Sequence, residues 1–290
     1  MRIMITGAGG FMGRNLCEVL RECRPEDRLD LIDLATPRQT LEAAAVEADF
    51  VFHLAGVNRP RDPDEFMRGN GDFTLELTAL LERGKRPPVV LASSIQAALD
   101  NPYGASKRAA EDAVAAYARR CETRAYLYRL PNVFGKWSRP NYNSVVATFC
   151  HNIARGLPIT VNDPAAQVPL VYIDDVAGRY AVKPEYRITV GDLAAMLGRF
   201  RDMRDRLECP DQSDPLTAKL YATYLSFLPP EDFARPTITH ADARGSFTEL
   251  LHLGGHGQVS VNVSRPHITK GEHWHHTKHE KFVVLSGEGV

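Results

Sequence analysis

The sequence predicts a doubly wound α/β domain with a parallel sheet, followed by a smaller all-β module. Two observations predict this order. Short apolar runs alternate with amphipathic stretches from the N-terminus to about Pro230, as in strands joined by crossover helices. From Phe247 onward, apolar residues recur at every second position, which is typical of strands. We place the boundary near Pro236, so that residues 1–235 form the first domain and residues 236–290 the second.

The predicted strands are short runs of β-branched or aromatic residues bounded by glycine, proline or polar residues. In the first domain they cover residues 3–6, 29–32, 50–54, 89–92 and 126–130. In the second they cover residues 247–253, 258–263 and 281–285. Helices are expected between the strands of the first domain, because apolar residues there recur at helical spacing. Two such stripes are Leu16, Val19, Leu20 and Cys23, and Ala109, Ala113, Val114 and Tyr117.

Composition narrows the possible functions. The chain has 290 residues, 44% of them hydrophobic, and its 35 basic and 36 acidic residues give a net charge of -1. This balance provides no basic surface for nucleic acid, so a small-molecule substrate is expected. The five cysteines form no CxxC pair, which favours reduced thiols in the cytoplasm. No apolar run approaches the roughly 20 residues of a membrane span, and we expect no membrane insertion.

A nucleotide-binding loop is predicted at the N-terminus. The first strand runs directly into Gly7, Gly10 and Gly13, and an amphipathic helix follows. Glycines at this spacing let the backbone approach a pyrophosphate, which is bound by the positive end of the helix. Phe11 and Met12, between the last two glycines, belong to the same predicted cofactor site. The first domain is therefore predicted to be Rossmann-like and to bind a nicotinamide dinucleotide.

The choice between NADH and NADPH depends on the end of the second strand. Asp33 lies about 20 residues after the last glycine, where a carboxylate hydrogen-bonds the ribose hydroxyls of NAD and repels a 2'-phosphate. Arg38 is near enough in sequence to offset that charge. The end of the next strand, at Leu54, Ala55 and Gly56, is expected to line the adenine and ribose. The alternative is that Asp33 and Gly56 each serve only a turn.

A catalytic triplet is predicted from three side chains. Tyr103 and Lys107 are four residues apart and lie on one face of a helix. The ammonium group is expected to lower the pKa of Tyr103, so that the phenol protonates a carbonyl oxygen. Lys107 is also expected to bind the nicotinamide ribose. Ser94 ends the preceding strand, where its hydroxyl is placed to hydrogen-bond the substrate oxygen.

At this point the chain resembles the CapF family of bacterial capsular-polysaccharide enzymes. The resemblance is carried by residues 94–96, 101–104, 131–137, 140–145, 172–176 and 270–278. It implies a reductase domain of the extended short-chain dehydrogenase/reductase type, which uses NADPH at carbon 4 of a UDP-linked 2-acetamido-2,6-dideoxy-4-keto-hexose. It also implies a cupin domain that binds zinc and epimerises carbon 3, in the synthesis of UDP-N-acetyl-L-fucosamine. Asp33 departs from the family pattern and leaves NADH open.

The resemblance also assigns roles to individual residues. Contacts to the UDP-sugar are expected from Asn132, Asn141, Asn143 and Ser144, and zinc ligands from His273, His275 and Glu280. Acid and base candidates nearby are His267, Lys270, His276 and His279.

The second cupin motif would lie beyond Val290, so the barrel is expected to be incomplete. A stretch of the family pattern is missing between Tyr180 and Val182, and the open edge of the β-module favours a homodimer.

Two alternatives remain open from the sequence. Another extended enzyme, such as a nucleotide-sugar 4-epimerase or dehydratase, would retain its NAD and return the hydride to the substrate. A non-catalytic NAD(P)-binding assembly protein would keep the fold without the chemistry. Consumption of added reduced cofactor distinguishes a reductase from both of them.

Overall fold

The computed structural model of the chain describes residues 1–179, 182–253, 257–270, 274–277 and 279–288. Within these residues, the first half of the chain forms a five-stranded parallel sheet in the order β2-β1-β3-β4-β5. Its strands are β1 (Arg2–Thr6), β2 (Arg28–Ile32), β3 (Phe50–His53), β4 (Val89–Ser94) and β5 (Ala125–Leu130). All five predicted strands of the first domain are therefore confirmed, with ends shifted by at most two residues.

Helices cover both faces of this sheet. They are α1 (Phe11–Cys23), α2 (Arg38–Glu47), α3 (Asp64–Phe66), α4 (Phe73–Glu82) and α5 (Pro102–Cys121), with a π-helical segment at Met67–Asp72 between α3 and α4 and a short 3-10 helix at Ile95–Ala98. Successive residues of β1 contribute to different cores. Ile3 and Ile5 pack with α1, whereas Met4 packs with α2, α4 and α5. This alternation confirms the doubly wound architecture, because neighbouring strand residues point to opposite faces.

A second group of elements packs around its own apolar core. It contains β6 (Asn132–Phe134), β7 (Gln167–Tyr172), β8 (Tyr186–Thr189), α6 (Val145–Ala154), α8 (Val190–Asp205) and α9 (Pro215–Leu225). Its three strands form a mixed sheet, which the sequence analysis did not predict. Phe134, Phe149, Phe200 and Tyr224 are the large side chains of this core. The helix between β7 and β8, α7 (Ile173–Arg179), contacts α1 instead, and its Ala177 packs in the same core as Ile3 and Ile5. The helix α7 ends before Lys183 and Pro184, as the proline predicts.

The C-terminal part of the chain contains a three-stranded antiparallel sheet. Its strands are β9 (Ile238–Asp242), β10 (Gly245–His252) and β11 (Gln258–Ser264), in the order β11-β10-β9. The two strands predicted at 247–253 and 258–263 are confirmed, and β9 was missed. The strand predicted at 281–285 is wrong. Phe282, Val283, Val284 and Leu285 are each at least 70% exposed there, and a strand needs a paired neighbour to bury its apolar face.

None of the helices in the described part of the chain is both long enough and apolar enough to span a bilayer.

Tyr117 provides a test of this packing. This residue of α5 has a fully buried side chain. Its hydroxyl donates a hydrogen bond to the Pro87 carbonyl, in the loop before β4, over 2.8 Å. Tyr117→Phe leaves that buried carbonyl without its donor, at a cost of about 1–2 kcal/mol in the free energy of unfolding. We expect a lower urea midpoint for this variant. Tyr126→Phe removes an exposed hydroxyl and serves as the control; equal midpoints for the two variants would contradict the assignment.

Candidate active site

The glycine loop between β1 and α1 is too tight for side chains at two positions. Gly7 has a positive φ of 70°, and a Cβ there would lie 2.8 Å from the Ala55 nitrogen. A Cβ at Gly13 would lie 2.2 Å from the Gly7 oxygen. The Gly10 nitrogen donates to that same oxygen over 3.0 Å and closes the turn. The loop therefore depends on Gly7 and Gly13 for its shape.

The N-terminus of α1 fits the phosphate groups of a dinucleotide. The helix begins at Phe11, and the residue before it, Gly10, has no side chain to cap the first turn. No acidic residue lies in that turn. The backbone N–H groups of Phe11, Met12 and Gly13 therefore face an end of the helix with partial positive charge, which suits an anionic ligand.

Asp33 follows β2 and reaches back to the glycine loop. Its carboxylate accepts a hydrogen bond from the Gly9 nitrogen at 2.8 Å, and its own nitrogen donates to Thr36. The guanidinium of Arg38 forms ion pairs with Glu42 and Glu76 and not with Asp33, and its contact with the cofactor remains a prediction. The Asp33 carboxylate therefore lies beside the loop, and no cation of the described residues forms an ion pair with it.

The end of β3 joins the cofactor loop to the catalytic helix. Ala55 lies against Gly7, and its nitrogen donates to the Thr6 hydroxyl. Leu54 packs beside the same core as α1. Gly56 faces the other way: a Cβ there would lie 2.7 Å from Asn70 Oδ1 and 3.1 Å from the Lys107 amine. The glycine at this position thus leaves room for the Asn70 carboxamide and the Lys107 amine, and its contact with the cofactor remains a prediction.

The predicted triplet is assembled at the carboxyl end of β4. Ser94 is the last residue of that strand, and its hydroxyl hydrogen-bonds Tyr103 near the start of α5. The Lys107 amine lies 5.9 Å from the centre of the Tyr103 ring and donates to the Ala92 carbonyl over 3.1 Å. The three side chains are therefore neighbours. Phe66 packs against Tyr103, with the two ring centres 5.4 Å apart.

Burial decides the protonation of this triplet. It raises the pKa of Tyr103, although the hydrogen bond with Ser94 opposes the shift. Burial also lowers the pKa of Lys107 to about 8, opposed by the negative charge of Glu111. The expectation that Lys107 lowers the pKa of Tyr103 is therefore wrong in this structure, because loss of hydration is the larger effect. At neutral pH, Tyr103 is a phenol and Lys107 a cation.

The sequence analysis missed Glu111, which lies one turn after Lys107 on α5. One of its carboxylate oxygens accepts from the Ser93 hydroxyl at 2.5 Å and from Arg129 Nε at 2.9 Å, and the other accepts from Arg129 Nη2 at 2.7 Å. Ser93 precedes Ser94 on β4, and Arg129 lies on β5. Glu111 thus connects α5 to two strands. The spacing of Tyr103, Lys107 and Glu111, four residues apart each, is the signal that would have revealed it.

A second missed group is the buried histidine at the end of β3. His53 Nδ1 lies 2.6 Å from the Thr6 hydroxyl and Nε2 lies 2.8 Å from the Thr74 hydroxyl. Because the Thr74 hydroxyl donates to the Asn70 carbonyl, it accepts from Nε2, and Nδ1 accepts from Thr6. Burial, with a smaller effect of Lys107, lowers the pKa of His53 to about 3. The imidazole is therefore neutral and links β1, β3 and α4.

Asn70 extends this network to the catalytic helix. It lies in the π-helical segment, and its side-chain amide donates to the Ser106 hydroxyl and the Val57 carbonyl, both at 2.9 Å. Its amide oxygen accepts from the Val57 nitrogen at 2.9 Å. Ser106 in turn donates to the Tyr103 carbonyl. No spacing in the sequence indicates this role, because it depends on the wider helical turn.

The residues expected to contact the sugar lie in β6 and the loop that follows it. Asn132 donates through its side chain to the Pro169 carbonyl on β7 over 3.0 Å. Ser144 caps α6, accepting a hydrogen bond from the Ala147 nitrogen. Asn141 has a positive φ of 52°, and Asn143 is exposed. Asn132 and Ser144 therefore have structural contacts, and the substrate role of all four remains a prediction.

The expected zinc site is not formed by the described residues. His275 Nε2 lies 3.8 Å from Glu280 Oε1, whereas His273 lies outside the described residues. Among the described residues, no group of three or more histidine, cysteine, aspartate or glutamate side chains is arranged to hold a metal.

The matches of this chain to protein families cover both of its parts. The NAD dependent epimerase/dehydratase family matches residues 3–181. The Polysaccharide biosynthesis C-terminal domain matches residues 240–290. The cofactor loop and the predicted catalytic triplet lie within the first match, and the antiparallel sheet lies largely within the second.

Individual relatives point the same way. The UDP-2-acetamido-2,6-beta-L-arabino-hexul-4-ose reductase of Pseudomonas aeruginosa is 44% identical over 304 residues, covering 99% of this chain and 81% of the relative. The crystal structure of the capsular polysaccharide assembling protein CapF from Staphylococcus aureus is 40% identical, with a TM-score of 0.87 over 96% of this chain and 79% of that chain. The resemblance to the CapF family is confirmed.

A more distant structure shares the fold alone. The UDP-glucose 4-epimerase of Thermus thermophilus, in complex with NAD, is 22% identical, with a TM-score of 0.59 over 70% of this chain and 84% of its own.

The alignment with the Pseudomonas relative spans 304 positions against 290 residues here, so at least 14 positions have no counterpart in this chain. The predicted missing stretch, between Tyr180 and Val182, adjoins the end of α7; residues 180 and 181 lie outside the described residues.

Gly13 provides a test of the cofactor loop. In Gly13→Ala the new methyl group meets backbone atoms of Gly7 and Ala8, so the loop must move away from its phosphate-binding shape. We expect binding of NADH and NADPH, followed by cofactor fluorescence, to weaken by about tenfold or more. Gly198→Ala is the matched control, because a Cβ there meets nothing within 4 Å. Unchanged cofactor affinity in Gly13→Ala would contradict the site.

Proposed function

Because the chain belongs to the NAD dependent epimerase/dehydratase family and is an oxidoreductase of the short-chain dehydrogenase/reductase type, we propose that it reduces a UDP-linked 4-keto sugar. The substrate class is a UDP-2-acetamido-2,6-dideoxy-4-keto-hexose, and the product serves the synthesis of a capsular polysaccharide precursor. The observation that carries the proposal is the meeting of Tyr103, Ser94 and Lys107 next to the glycine loop. The name of the Pseudomonas relative supports the substrate class.

The chemistry follows from the protonation of these residues. A bound reduced nicotinamide supplies the hydride that forms the new C–H bond at carbon 4. The phenol of Tyr103 donates its proton to the carbonyl oxygen, and the Ser94 hydroxyl orients that oxygen by a hydrogen bond. Proton transfer leaves a phenolate, which the Lys107 cation stabilises across the 5.9 Å between its amine and the ring centre. Lys107 thus acts after the proton leaves and does not need to lower the resting pKa.

The cofactor we propose is NADH in preference to NADPH. The Asp33 carboxylate lies beside the glycine loop, and Arg38 is paired elsewhere. A 2'-phosphate about 4 Å from a carboxylate meets a repulsion of roughly 4 kcal/mol near a protein surface. The ribose hydroxyls of NADH would instead donate hydrogen bonds to the same group.

The proposal is limited to reduction. Epimerisation at carbon 3 by a zinc cupin remains an expectation from the resemblance, because His275 and Glu280 are joined by no third ligand among the described residues. A 4-epimerase or dehydratase of the same fold would regenerate its cofactor within one turnover, and a non-catalytic protein would leave it unchanged. Net oxidation of added cofactor separates reduction from both.

Tyr103→Phe tests the reductase directly. The variant keeps the ring and its packing on Phe66 but removes the proton donor, so we expect the rate to fall by about 10²- to 10⁴-fold. The measurement is the loss of absorbance of NADH, and separately of NADPH, with the 4-keto sugar as substrate. Tyr126→Phe, which removes an exposed hydroxyl, is the control. Full activity in Tyr103→Phe, or no net oxidation by the unaltered protein, would contradict the proposal.

The pH dependence of the same reaction tests the role of Lys107. Because the pKa of Lys107 is about 8, its charge is present below that pH and is lost as the pH rises through it. We expect kcat/KM to fall above about pH 8. Glu111→Gln removes the charge that raises this pKa, so the fall should move to lower pH; Glu18→Gln, on the exposed face of α1, should leave it in place. A rate that stays flat to about pH 10, the usual range for lysine, would contradict this role.

A further inference from the structure

Two arginines from different loops meet on one tyrosine. The Arg139 guanidinium lies 5.0 Å from the centre of the Tyr142 ring, and the Arg59 guanidinium lies 5.8 Å from it. Arg59 belongs to the loop after β3, whereas Arg139 and Tyr142 belong to the loop between β6 and α6. We call Arg59 and Arg139 the arginine pair. Tyr142 holds its two members close together through cation–π contacts.

The arginine pair has no carboxylate within ion-pair distance among the described residues, whereas a cation of the π-helical segment and one of the loop between β6 and α6 do. Arg68 pairs with Asp62 at 3.5 Å, and Lys136 pairs with Asp174 at 2.7 Å. Two guanidinium groups at one ring repel each other, and Tyr142 supplies no negative charge to offset them. Such a pair is suited to an anion with several oxygens, because each guanidinium presents a planar fork of donors.

The position of the pair connects it with the active site. Arg59 follows Gly56 by three residues, which span at most about 11 Å of chain, and Gly56 lies against the Lys107 amine. The other loop is tied to the cofactor side, because Asn15 of α1 donates to the Lys136 carbonyl over 3.2 Å. The arginine pair therefore lies at the edge of the region between the glycine loop and the catalytic triplet.

We propose that Arg59 and Arg139, held by Tyr142, bind the diphosphate of the nucleotide-sugar substrate. This inference rests on the proposed function, since it names the part of the substrate that these residues recognise. The two phosphates carry adjacent negative charges, which match the two guanidinium groups. The sugar attached to the diphosphate is then placed toward Tyr103 and Lys107. Stacking on Tyr142 restricts both side chains before the ligand arrives, which lowers the cost of ordering them.

UDP and UMP distinguish contact with the diphosphate from contact with the rest of the nucleotide. We expect the unaltered protein to bind UDP more tightly than UMP in isothermal titration calorimetry. Arg59→Gln and Arg139→Gln should each weaken UDP binding by about tenfold or more, which is the usual loss when a charged donor is removed. The double variant should bind UDP and UMP alike. Tyr142→Phe keeps the ring and should retain most of the affinity, whereas Tyr142→Leu should lose part of it.

Arg68→Gln is the matched control. It removes one positive charge from the same connection, but this arginine already has Asp62 as its partner. Binding of NADH is measured in every variant to establish that the cofactor domain is intact. An equal loss of UDP affinity in Arg68→Gln and Arg59→Gln would overturn the inference, because net charge alone would then account for the effect.

The remaining outcomes separate the inference from the proposed function. If the double variant binds UDP as tightly as the unaltered protein, the arginine pair is a structural contact and the inference is wrong, while reduction of the keto sugar still stands on its own assay. If the unaltered protein binds NADH but no UDP, both the inference and the proposed UDP-linked substrate are overturned. Selective loss of UDP affinity in the arginine variants supports the inference.

Discussion

The active site depends on one carboxylate. Glu111 accepts hydrogen bonds from Ser93 on β4 and from Arg129 on β5, and it lies on the same face of α5 as Lys107. The carboxylate therefore sets where α5 lies along the strands, and with it the distance from Ser94 to Tyr103. It also provides the negative charge that favours the protonated form of a buried lysine. Geometry and charge at the triplet thus have a common origin.

Much of the fold and part of the site could be predicted from local sequence patterns. The glycine loop lies within a single strand-turn-helix unit, so the spacing of Gly7, Gly10 and Gly13 is sufficient to indicate it. Tyr103 and Lys107 are related by the helical repeat alone. The prediction for Ser94 required only that strands β4 and β5 be parallel neighbours, since the carboxyl end of β4 then faces the start of α5. Each of these predictions concerns residues that are close in sequence.

The failures have a different physical origin. The pKa of Tyr103 depends on how much water reaches it, and a sequence does not show burial. The pairing of Arg38 with Glu76 and that of Arg129 with Glu111 join distant segments. Residues 281–285 have the composition of a strand, but composition cannot supply the neighbour that a strand requires. The sequence therefore does not predict the features that depend on contacts between distant segments, namely burial, ion pairing and strand pairing.

The π-helical segment has a consequence for the loop after β3. The carboxamide of Asn70 forms two hydrogen bonds with the backbone of Val57, as a neighbouring strand would. Its oxygen accepts from the Val57 N–H, and its nitrogen donates to the Val57 carbonyl. These two bonds fix the backbone of the loop at Val57, although the loop is not part of a sheet. Much of its conformational entropy is lost when the protein folds and does not have to be lost again when a ligand binds. A single amide, placed by one wide helical turn, thereby gives an exposed loop the rigidity of regular structure.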